Sequence, residues 1–367
     1  MLRIIRFIKS NLVLFIALCL ALITSCIIPP DSEYVGYFDF KTLACLFCTL
    51  AVICALKNIR FFTVLARAIV HATGNLRSAV LALVFITFFG SMLIANDMAL
   101  ITFLPLGFYV LSATNKKSYM AFVFVMQNIA ANLGGMLTPF GNPQNLYLYS
   151  HFQIPTGEFL RIMLPPFLAA TVLIVVCCLF VKPEKIELAD KETYQLPKTK
   201  TILYLILFAL SISVVFRAVP YLIGTAIVFG SLLILDRKAL ARVDYGLLLT
   251  FACFFVFAGN LSRVEAVHQL LSTLLEKSTL LVSILSCQVI SNVPSAILLS
   301  RFTTDYSALL LGVNIGGTGT LIASLASLIT FREYTQREPY RMGYYMKVFT
   351  LLNLLFLVVL TAVALFL

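Results

Sequence analysis

The chain has 367 residues, of which 61% are hydrophobic and 12% charged, and its mean hydropathy is +1.00. So few charges cannot cover a chain of this length with a polar surface, which excludes a soluble globular protein and predicts a multi-pass protein of the cell membrane. The net charge of +11 does not indicate nucleic-acid binding, because the basic residues lie in short loops between apolar segments without interleaved aromatic residues.

Residues 11–28 form the first apolar run and follow three basic residues, Arg3, Arg6 and Lys9. This order predicts an uncleaved span with the N-terminus inside the cell. A second span, residues 42–56, leads into a loop with four basic residues and no acidic one, which predicts a cytoplasmic loop. The apolar and basic residues alternate there at helical spacing, as in an interfacial helix.

Residues 78–113 are too many for one span of about 20 residues, and basic residues flank them on both sides. The segment is therefore predicted to enter and leave by the cytoplasmic face, as a re-entrant hairpin with Asn96 and Asp97 at its tip. Residues 118–150 follow and contain Gly, Pro and amide residues in an apolar context. This composition is typical of a broken transmembrane helix whose freed backbone groups face protein or a water-filled cavity.

The second half of the chain shows the same plan in the opposite orientation. Asn132 and Asn314 lie in matching stretches 182 residues apart (314 − 132), and Asn96 and Asn292 lie in matching stretches 196 residues apart (292 − 96). Interrupted apolar segments in corresponding positions of two halves indicate a transporter built from inverted repeats. The predicted segments after the first broken helix are a span at 159–181, spans at 201–216, 221–235 and 245–258, an amphipathic outer helix at 260–277, a second hairpin at 278–302, a second broken helix at 306–330 and a last span at 345–367.

We therefore predict an all-α fold with about nine spans and two hairpins, the N-terminus inside and the C-terminus outside. Residues 1–181 form the first inverted repeat, residues 182–200 a cytoplasmic linker, and residues 201–367 the second repeat. The nine Cys residues all fall in apolar segments and are interpreted as small core residues, without metal or disulfide roles.

The polar residues at the tips and breaks predict ion recognition. Alkali cations favour oxygen ligands, and the amide oxygens of the four matched asparagines can supply them. Backbone carbonyls freed at two glycine pairs can add further ligands, and the positive ends of half-helices can receive an anion without a buried Arg or Lys. The residues predicted on this basis are Asn96, Asn132, Asn292 and Asn314; Gly134, Gly135, Gly316 and Gly317; and the hydrogen-bonding side chains of Thr138, Asn142, Gln144, Asn145, Thr318, Thr320 and Ser324.

Asp97 is the one charged residue within the predicted hairpins and broken helices before their ends. A carboxylate at membrane depth costs about 2.5 to 3.5 kcal/mol on insertion scales, so it is a functional candidate. It can bind or offset a cation, carry a proton, or serve as a hydrogen-bonded carboxyl that shapes the turn. Since no nucleotide-binding loop is present, no cofactor is expected, and transport would draw on a gradient of Na⁺ or H⁺.

The motifs Ala-Asn-Asp at 95–97, Gly-Asn-Pro-Gln-Asn at 141–145, Ser-Asn-Val-Pro-Ser at 291–295 and the run from Gly312 to Ile329 resemble those of the ion transporter superfamily, which includes arsenite permeases, NhaD-type Na⁺/H⁺ antiporters, citrate transporters and divalent anion/Na⁺ symporters. The resemblance adds Gly141, Ser291 and Ser295 to the candidate site. It implies a homodimer, an elevator-type motion, Na⁺ sites at Asn96 and Asn292, and a substrate held between the tips.

One departure concerns the substrate. Dicarboxylate members carry Ser-Asn-Thr at both tips, whereas this chain has Ala-Asn-Asp and Ser-Asn-Val, which favours the arsenite permease and antiporter branches. The leading hypothesis is a secondary active transporter of a small anion or oxyanion coupled to Na⁺ or H⁺, and the alternative is a Na⁺/H⁺ antiporter. A channel is less favoured, and an enzyme is not expected, because no nucleophile and base or metal cluster is apparent at one depth.

Overall fold

A computed structural model of the chain describes residues 12–71, 73–186 and 195–367. Within these residues every regular element is a helix, apart from one isolated bridge between Asn75 and Lys185, which confirms the predicted all-α fold. The three basic residues near the N-terminus and the middle of the predicted linker lie outside the described residues.

Nine described helices are long and apolar enough to cross a membrane. They differ from the nine spans predicted above at three places. They include both arms of the first hairpin and the first arm of the second. The described part of the first span, the span at 221–235 and the first part of the second broken helix are instead shorter apolar helices. The first broken helix is the most deeply buried of the nine, with 89% of its apolar window buried against 28% for the last helix. The centre of the molecule therefore lies around this broken helix.

The first described helices precede the first hairpin. Helix α3 begins two residues before the predicted span, because the Asp39 carboxylate accepts a hydrogen bond from the Thr42 backbone N–H at 2.9 Å and caps the helix. These first helices are α1 (Leu12–Ile27), the short α2 (Tyr34–Tyr37), α3 (Phe40–Asn58) and α4 (Phe61–His71), the last at the place of the predicted interfacial helix.

The segment predicted as the first hairpin folds as two packed helices, α5 (Leu76–Ile94) and α6 (Asn96–Ala113). Asn75 and Ser78 form a capping box at the start of α5, which fixes where the hairpin begins. Ala95 joins the arms with φ 63° and ψ 150°, a backbone conformation that non-glycine residues rarely adopt.

The first broken helix consists of α7 (Met120–Gly134), a 3₁₀ turn (Gly135–Leu137), an irregular stretch, and α8 (Pro143–His151). The break begins at the predicted glycine pair. Pro143 occupies the first position of α8, where its missing N–H removes no intrahelical hydrogen bond. The next five helices are α9 (Thr156–Leu179), α10 (Lys198–Val215), α11 (Tyr221–Leu235), the short α12 (Arg237–Ala241) and α13 (Tyr245–Ser262).

Helix α14 (Glu265–Ile290) has a kink at Ser278, where φ is −167° and ψ is 97°. The kink separates the segment predicted as an amphipathic outer helix from the first arm of the second hairpin. The second arm is α15 (Asn292–Leu299), and Ser291 joins the arms with φ 75° and ψ 159°. Ser291 lies 196 residues after Ala95 (291 − 95), so the two tips share both the offset and the backbone conformation.

The second broken helix consists of α16 (Tyr306–Ile315) and α17 (Leu325–Arg337). Helix α17 extends seven residues beyond the predicted end at Thr330 (337 − 330). The added turns are polar, and an ion pair between Arg337 and Glu333 at 2.8 Å, four residues apart, supports them. A 3₁₀ turn (Pro339–Arg341) leads into the last helix, α18 (Met342–Leu365).

Candidate functional site

The two hairpin tips meet at one cavity of about 390 Å³, which is within the usual size range of a small-molecule site. Four helices begin at its wall, namely α6, α8, α15 and α17. The remaining wall is mostly apolar and comes from α1, α13, the end of α14 and Ile322 in the second break. The lining residues with polar side chains are Asn96, Asp97, Gln144, Thr250, Ser291 and Asn292.

Each tip is fixed to the helix break of its own half. The Asn96 backbone N–H donates to the Gly141 carbonyl at 3.1 Å, and the Asn292 backbone N–H donates to the Ala323 carbonyl at 2.9 Å. Gly141 and Ala323 are 182 residues apart (323 − 141), the offset that relates the two breaks in the sequence. The same hydrogen bond therefore forms twice, at equivalent positions of the two halves.

Asn132 connects the first half to the second. Its Nδ2 donates to Ser324 Oγ at 3.0 Å and approaches the Gly317 carbonyl at 3.5 Å, both in the second break. Its Oδ1 accepts from Asn96 Nδ2 at 3.1 Å. One buried side chain thus contacts the first tip and the second break.

Asn314 makes the reciprocal connection from the second half. Its Nδ2 donates to Asn145 Oδ1 at 2.6 Å, and its Oδ1 accepts from Asn142 Nδ2 at 3.3 Å and from Gln144 Nε2 at 3.4 Å. The two breaks are therefore linked by matched asparagines, each of which forms hydrogen bonds across to the other half. The sequence indicates these asparagines but not their partners.

Two amide side chains hold the carbonyls that the breaks release. Asn145 Nδ2 donates to the carbonyls of Gly135 at 3.3 Å and Met136 at 3.1 Å. Gln288 Nε2 does the same in the second half, for the carbonyls of Gly316 at 2.9 Å and Thr318 at 3.2 Å. The sequence analysis missed Gln288, although an amide in an apolar hairpin arm four residues before the tip is a signal that could have indicated it.

The glycines at the breaks lie where a side chain would collide. A Cβ on Gly134 would lie 2.1 Å from the Phe88 carbonyl oxygen, and a Cβ on Gly141 would lie 2.3 Å from the Gly135 carbonyl oxygen. On Gly135 a Cβ would meet Asn142 Oδ1 at 2.3 Å, and on Gly316 it would meet the Gly312 carbonyl oxygen at 2.7 Å. These glycines permit close backbone approach at the centre of the protein.

Four other predicted residues do not line the cavity and form hydrogen bonds elsewhere. Thr138 Oγ1 donates to the Met92 carbonyl at 2.8 Å, and Thr318 Oγ1 donates to the Ile315 carbonyl at 2.7 Å. Thr320 is exposed and binds the Gln288 carbonyl, and Ser295 pairs with Ser286 inside the second hairpin. Their observed contacts stabilise the breaks and the hairpin.

Three buried oxygens near the tips have no hydrogen-bond partner, namely Asp97 Oδ1, Asn142 Oδ1 and Gln144 Oε1. A buried acceptor without a partner costs about 1 to 3 kcal/mol, so such a group in a native protein calls for a ligand, ion or water. Lys and Arg are absent from the described lining residues, and the described residues contain no cluster of three His, Cys, Asp or Glu that could hold a metal. The site thus offers oxygen acceptors together with four helix N-termini.

Discontinuous helices from two halves that meet at a buried polar site define the class of secondary membrane transporters. The chain belongs to the citrate transporter family, whose family model matches residues 1–308. It is 31% identical over 353 residues to an uncharacterized transporter of Methanocaldococcus jannaschii, covering 96% of each chain. It is 30% identical over 285 residues to the inner membrane protein YbiR of Escherichia coli, covering 76% of this chain and 75% of that protein.

A shorter match links the chain to the silicon efflux transporter LSI3 of Oryza sativa, with 31% identity over 144 residues, 39% of this chain and 29% of that protein. Together with the nine apolar candidate spans, the family assignment identifies the protein as a multi-pass transporter of the plasma membrane.

Proposed function

We propose that the protein is a secondary active transporter of a small anion or oxyanion, coupled to Na⁺ or H⁺. The observation that carries the proposal is the single cavity at which both hairpin tips and both helix breaks meet. Helix N-termini carry partial positive charge and free N–H groups, so they can bind an anion without a basic side chain. The family name and the silicon efflux relative support a small oxygen-rich solute.

The coupling cation would bind at the tips. The amide oxygen of Asn96 accepts from the Asp97 backbone N–H at 3.0 Å, which leaves one lone pair for a cation. The amide oxygen of Asn292 accepts from the Val293 backbone N–H at 2.9 Å and from Ser291 Oγ at 3.4 Å, so a cation would replace the longer of these two hydrogen bonds. The unpartnered oxygens of Asp97, Asn142 and Gln144 add acceptors nearby. This donor set consists of oxygen alone, as Na⁺ prefers.

The hairpins and the broken helices would form the moving unit of an elevator-type cycle, as the family resemblance implies. Helices α9 and α18 pack on the first broken helix and would move with it. The tips are hydrogen-bonded to the breaks, and the breaks to each other, so these elements would move together. The frame would consist of α1, α3, α10, α11 and α13, in which α1 packs on α13, and α3 packs on α10 and α11. By the same resemblance, two such chains would pair as a homodimer through their frames.

The test is a flux measurement on the purified protein in liposomes with imposed Na⁺ and pH gradients. The solute panel contains citrate, succinate, phosphate, sulfate and arsenite. Saturable uptake of one solute that follows the Na⁺ or H⁺ gradient is expected. Uptake that rises linearly with solute concentration and ignores both gradients would exclude a coupled transporter and favour a channel.

Asp97 supports a second candidate function, that of a Na⁺/H⁺ antiporter. Its Oδ1 is buried without a partner beside the tip amide, which suits a carboxylate that binds Na⁺ and H⁺ in turn. Proton movement driven by a Na⁺ gradient, with no solute accumulated, would favour this function.

A further inference from the structure

The two hairpin tips differ at one pair of equivalent positions. Asp97 follows Asn96 in the first tip, and Val293 follows Asn292 in the second, 196 residues later (293 − 97). Both side chains line the same cavity. One tip therefore places a carboxylate, and the other an isopropyl group, against any solute held between them.

The charge of Asp97 is not offset by a basic side chain in the cavity. Of the described residues that line the cavity, Asp97 is the only one with a formal charge. The wall opposite the tips is apolar, with Leu247 and Phe254 of α13 among its residues. A dianion placed here would meet a carboxylate in a medium of low dielectric constant, where like charges repel far more strongly than in water.

The favourable charge in the cavity comes from helix N-termini. Four helices begin there, and each end contributes roughly half a positive charge, so together they contribute about two. Asp97 lies in the first turn of α6, and its carboxylate offsets about one of these two positive charges. In the absence of a bound cation, the remaining positive charge matches about one negative charge. The buried Gln144, 1% exposed with its Oε1 unpartnered, adds an acceptor that suits a hydroxyl of the solute.

We propose that Asp97 sets the charge of the substrate, so that the cavity accepts a singly charged or uncharged oxyacid and rejects dianions and trianions. The proposal rests on the proposed transport function and narrows its substrate class. Hydroxyl groups of such a solute would donate to Asp97 Oδ1 and Gln144 Oε1. Its oxygens would accept from N–H groups in the first turns of α8 and α17, because the first two N–H groups of α6 and of α15 already have acceptors. Sulfate, succinate and citrate would fit by size but would be excluded by charge.

Substitutions at the two tips test the proposal by a gain of binding, which misfolding cannot produce. Asp97→Asn keeps the shape and removes the charge, and Asp97→Val gives the first tip the residue that the second tip has at the equivalent position. Binding is measured as protection of the purified protein against thermal unfolding at pH 7.5, with arsenous acid (uncharged), acetate (singly charged), and sulfate, succinate and citrate. Each series is run in Na⁺ and in choline buffer, so that a cation that offsets Asp97 is detected.

The wild-type protein is expected to be protected by arsenous acid or acetate and not by sulfate, succinate or citrate. Removing one unit charge is expected to raise the apparent affinity for sulfate or succinate about tenfold or more in both Asp97 variants. The reciprocal variant Val293→Asp, which adds a second carboxylate, should lose protection by acetate while keeping protection by arsenous acid. Asp305→Asn is the matched control, because Asp305 lies outside the cavity lining and caps α16 by accepting from the Ala308 backbone N–H at 3.0 Å, and Asn also caps helices. This variant should keep the wild-type order.

Wild-type protection by sulfate, succinate or citrate as strong as in Asp97→Asn, in both buffers, would overturn the charge limit while leaving the transport function intact. An absence of binding and flux for every solute, in the wild type and in all variants, would overturn the proposed function and the charge limit together. The two failures are therefore distinguishable.

Discussion

At the scale of single residues, buried amide side chains hold the fold together, because each forms hydrogen bonds to two structural elements. Asn132 shows this most clearly, since it is 2% exposed and contacts both the first tip and the second break. The Asn132 amide therefore cross-links these two elements. It also fixes the shape of the cavity, because the tip that it holds forms part of the cavity wall.

Asn132→Ala is expected to lower both stability and transport. The substitution leaves Asn96 Nδ2 and Ser324 Oγ without this partner in a buried site, at a cost of about 1 to 3 kcal/mol. The readouts are the thermal midpoint in detergent and the initial rate of solute uptake in liposomes. Asn353→Ala is the control, because Asn353 is equally buried but donates within its own helix, to the Phe349 carbonyl at 2.9 Å. Equal loss of transport in both variants would show that the position of Asn132 has no special role.

The helix breaks also depend on single residues, namely glycines that let the backbone approach neighbouring elements closely. In Gly134→Ala the new methyl group would lie 2.1 Å from the Phe88 carbonyl oxygen, so the first hairpin must shift away from the broken helix. We expect a loss of stability of about 1 to 3 kcal/mol and an uptake rate near background. Gly157→Ala is the control, because a Cβ on Gly157 meets no atom within 4 Å. A Gly134→Ala protein with wild-type midpoint and uptake would contradict the close approach.

The sequence contains enough information to predict the glycines, the matched asparagines and Asp97, because each is a polar or flexible residue in an apolar context. The partners could not be predicted in this way. Nothing local in the sequence pairs Asn132 with Ser324 or Asn314 with Asn145, since both pairs form only when the two halves pack together. The sequence predicts Thr138 and Thr320 near the solute for their hydroxyl groups, whereas in the structure these hydroxyls donate from the breaks to carbonyls in the hairpins of the same halves.

At the scale of elements, the first hairpin is held at its base by the chain that follows α9, residues 181–186, which we name the strap. The Leu76 backbone N–H donates to the Glu184 carbonyl at 2.8 Å, and Arg77 Nε donates to the Val181 carbonyl at 2.7 Å. The Glu184 carboxylate forms an ion pair with Lys116, beyond the end of the second arm. The strap therefore joins both arms of the hairpin to the end of α9.

The ion pair of the strap predicts a pH-dependent contribution to stability. The hydrogen bond from Lys116 holds the pKa of Glu184 below its ordinary value of 4.5. Because the folded-state pKa is lowered, the contribution is present above the ordinary pKa and is lost as the pH falls through the lowered one. Glu184→Gln should therefore lower the thermal midpoint at pH 7, and the difference from the wild type should shrink as the pH falls below about 4.

The size of this effect is limited by solvent, since the Lys116 and Glu184 side chains are 28% and 40% exposed. We expect a shift of no more than about 2 °C, smaller at high salt. The measurement is a series of thermal midpoints from pH 7 to pH 3.5 at two salt concentrations. Glu276→Gln, at an exposed position of α14, serves as the control. A constant difference at every pH would assign the effect to lost packing rather than to the ion pair.

At the scale of the whole molecule, hydrogen bonds of Asn132 and Asn314 join the hairpins and broken helices of the two halves into one central body, which is the moving unit of the proposed cycle. The sequence predicts the order of the segments, because charge and hydropathy decide which runs cross the membrane. The sequence does not predict that α17 continues beyond the membrane-length segment. The last turns of α17 are polar, and the ion pair that supports them is visible only in the folded helix. The inward N-terminus and outward C-terminus stay predictions of the basic-residue distribution.

Motion of the central body against the frame predicts a difference between two cross-links. Phe140 in the first break and Phe216 at the end of α10 have ring centroids 5.9 Å apart, so a cysteine pair at these positions would join the moving unit to the frame. Cys48 Sγ and Thr225 Oγ1 are 3.4 Å apart within the frame, so Thr225→Cys offers a matched pair that joins frame to frame. Both pairs are placed in a background in which the other native cysteines are replaced by alanine.

Bridging the Phe140→Cys and Phe216→Cys pair with a bifunctional thiol reagent should stop solute uptake, and reduction should restore it. Bridging Cys48 to Thr225→Cys should leave uptake near its unbridged rate, because no relative motion is expected within the frame. The measurement is uptake in liposomes before bridging, after bridging and after reduction, with the extent of cross-linking determined by mass spectrometry. Full uptake with the first pair completely bridged would show that the first break and α10 do not move past each other during transport.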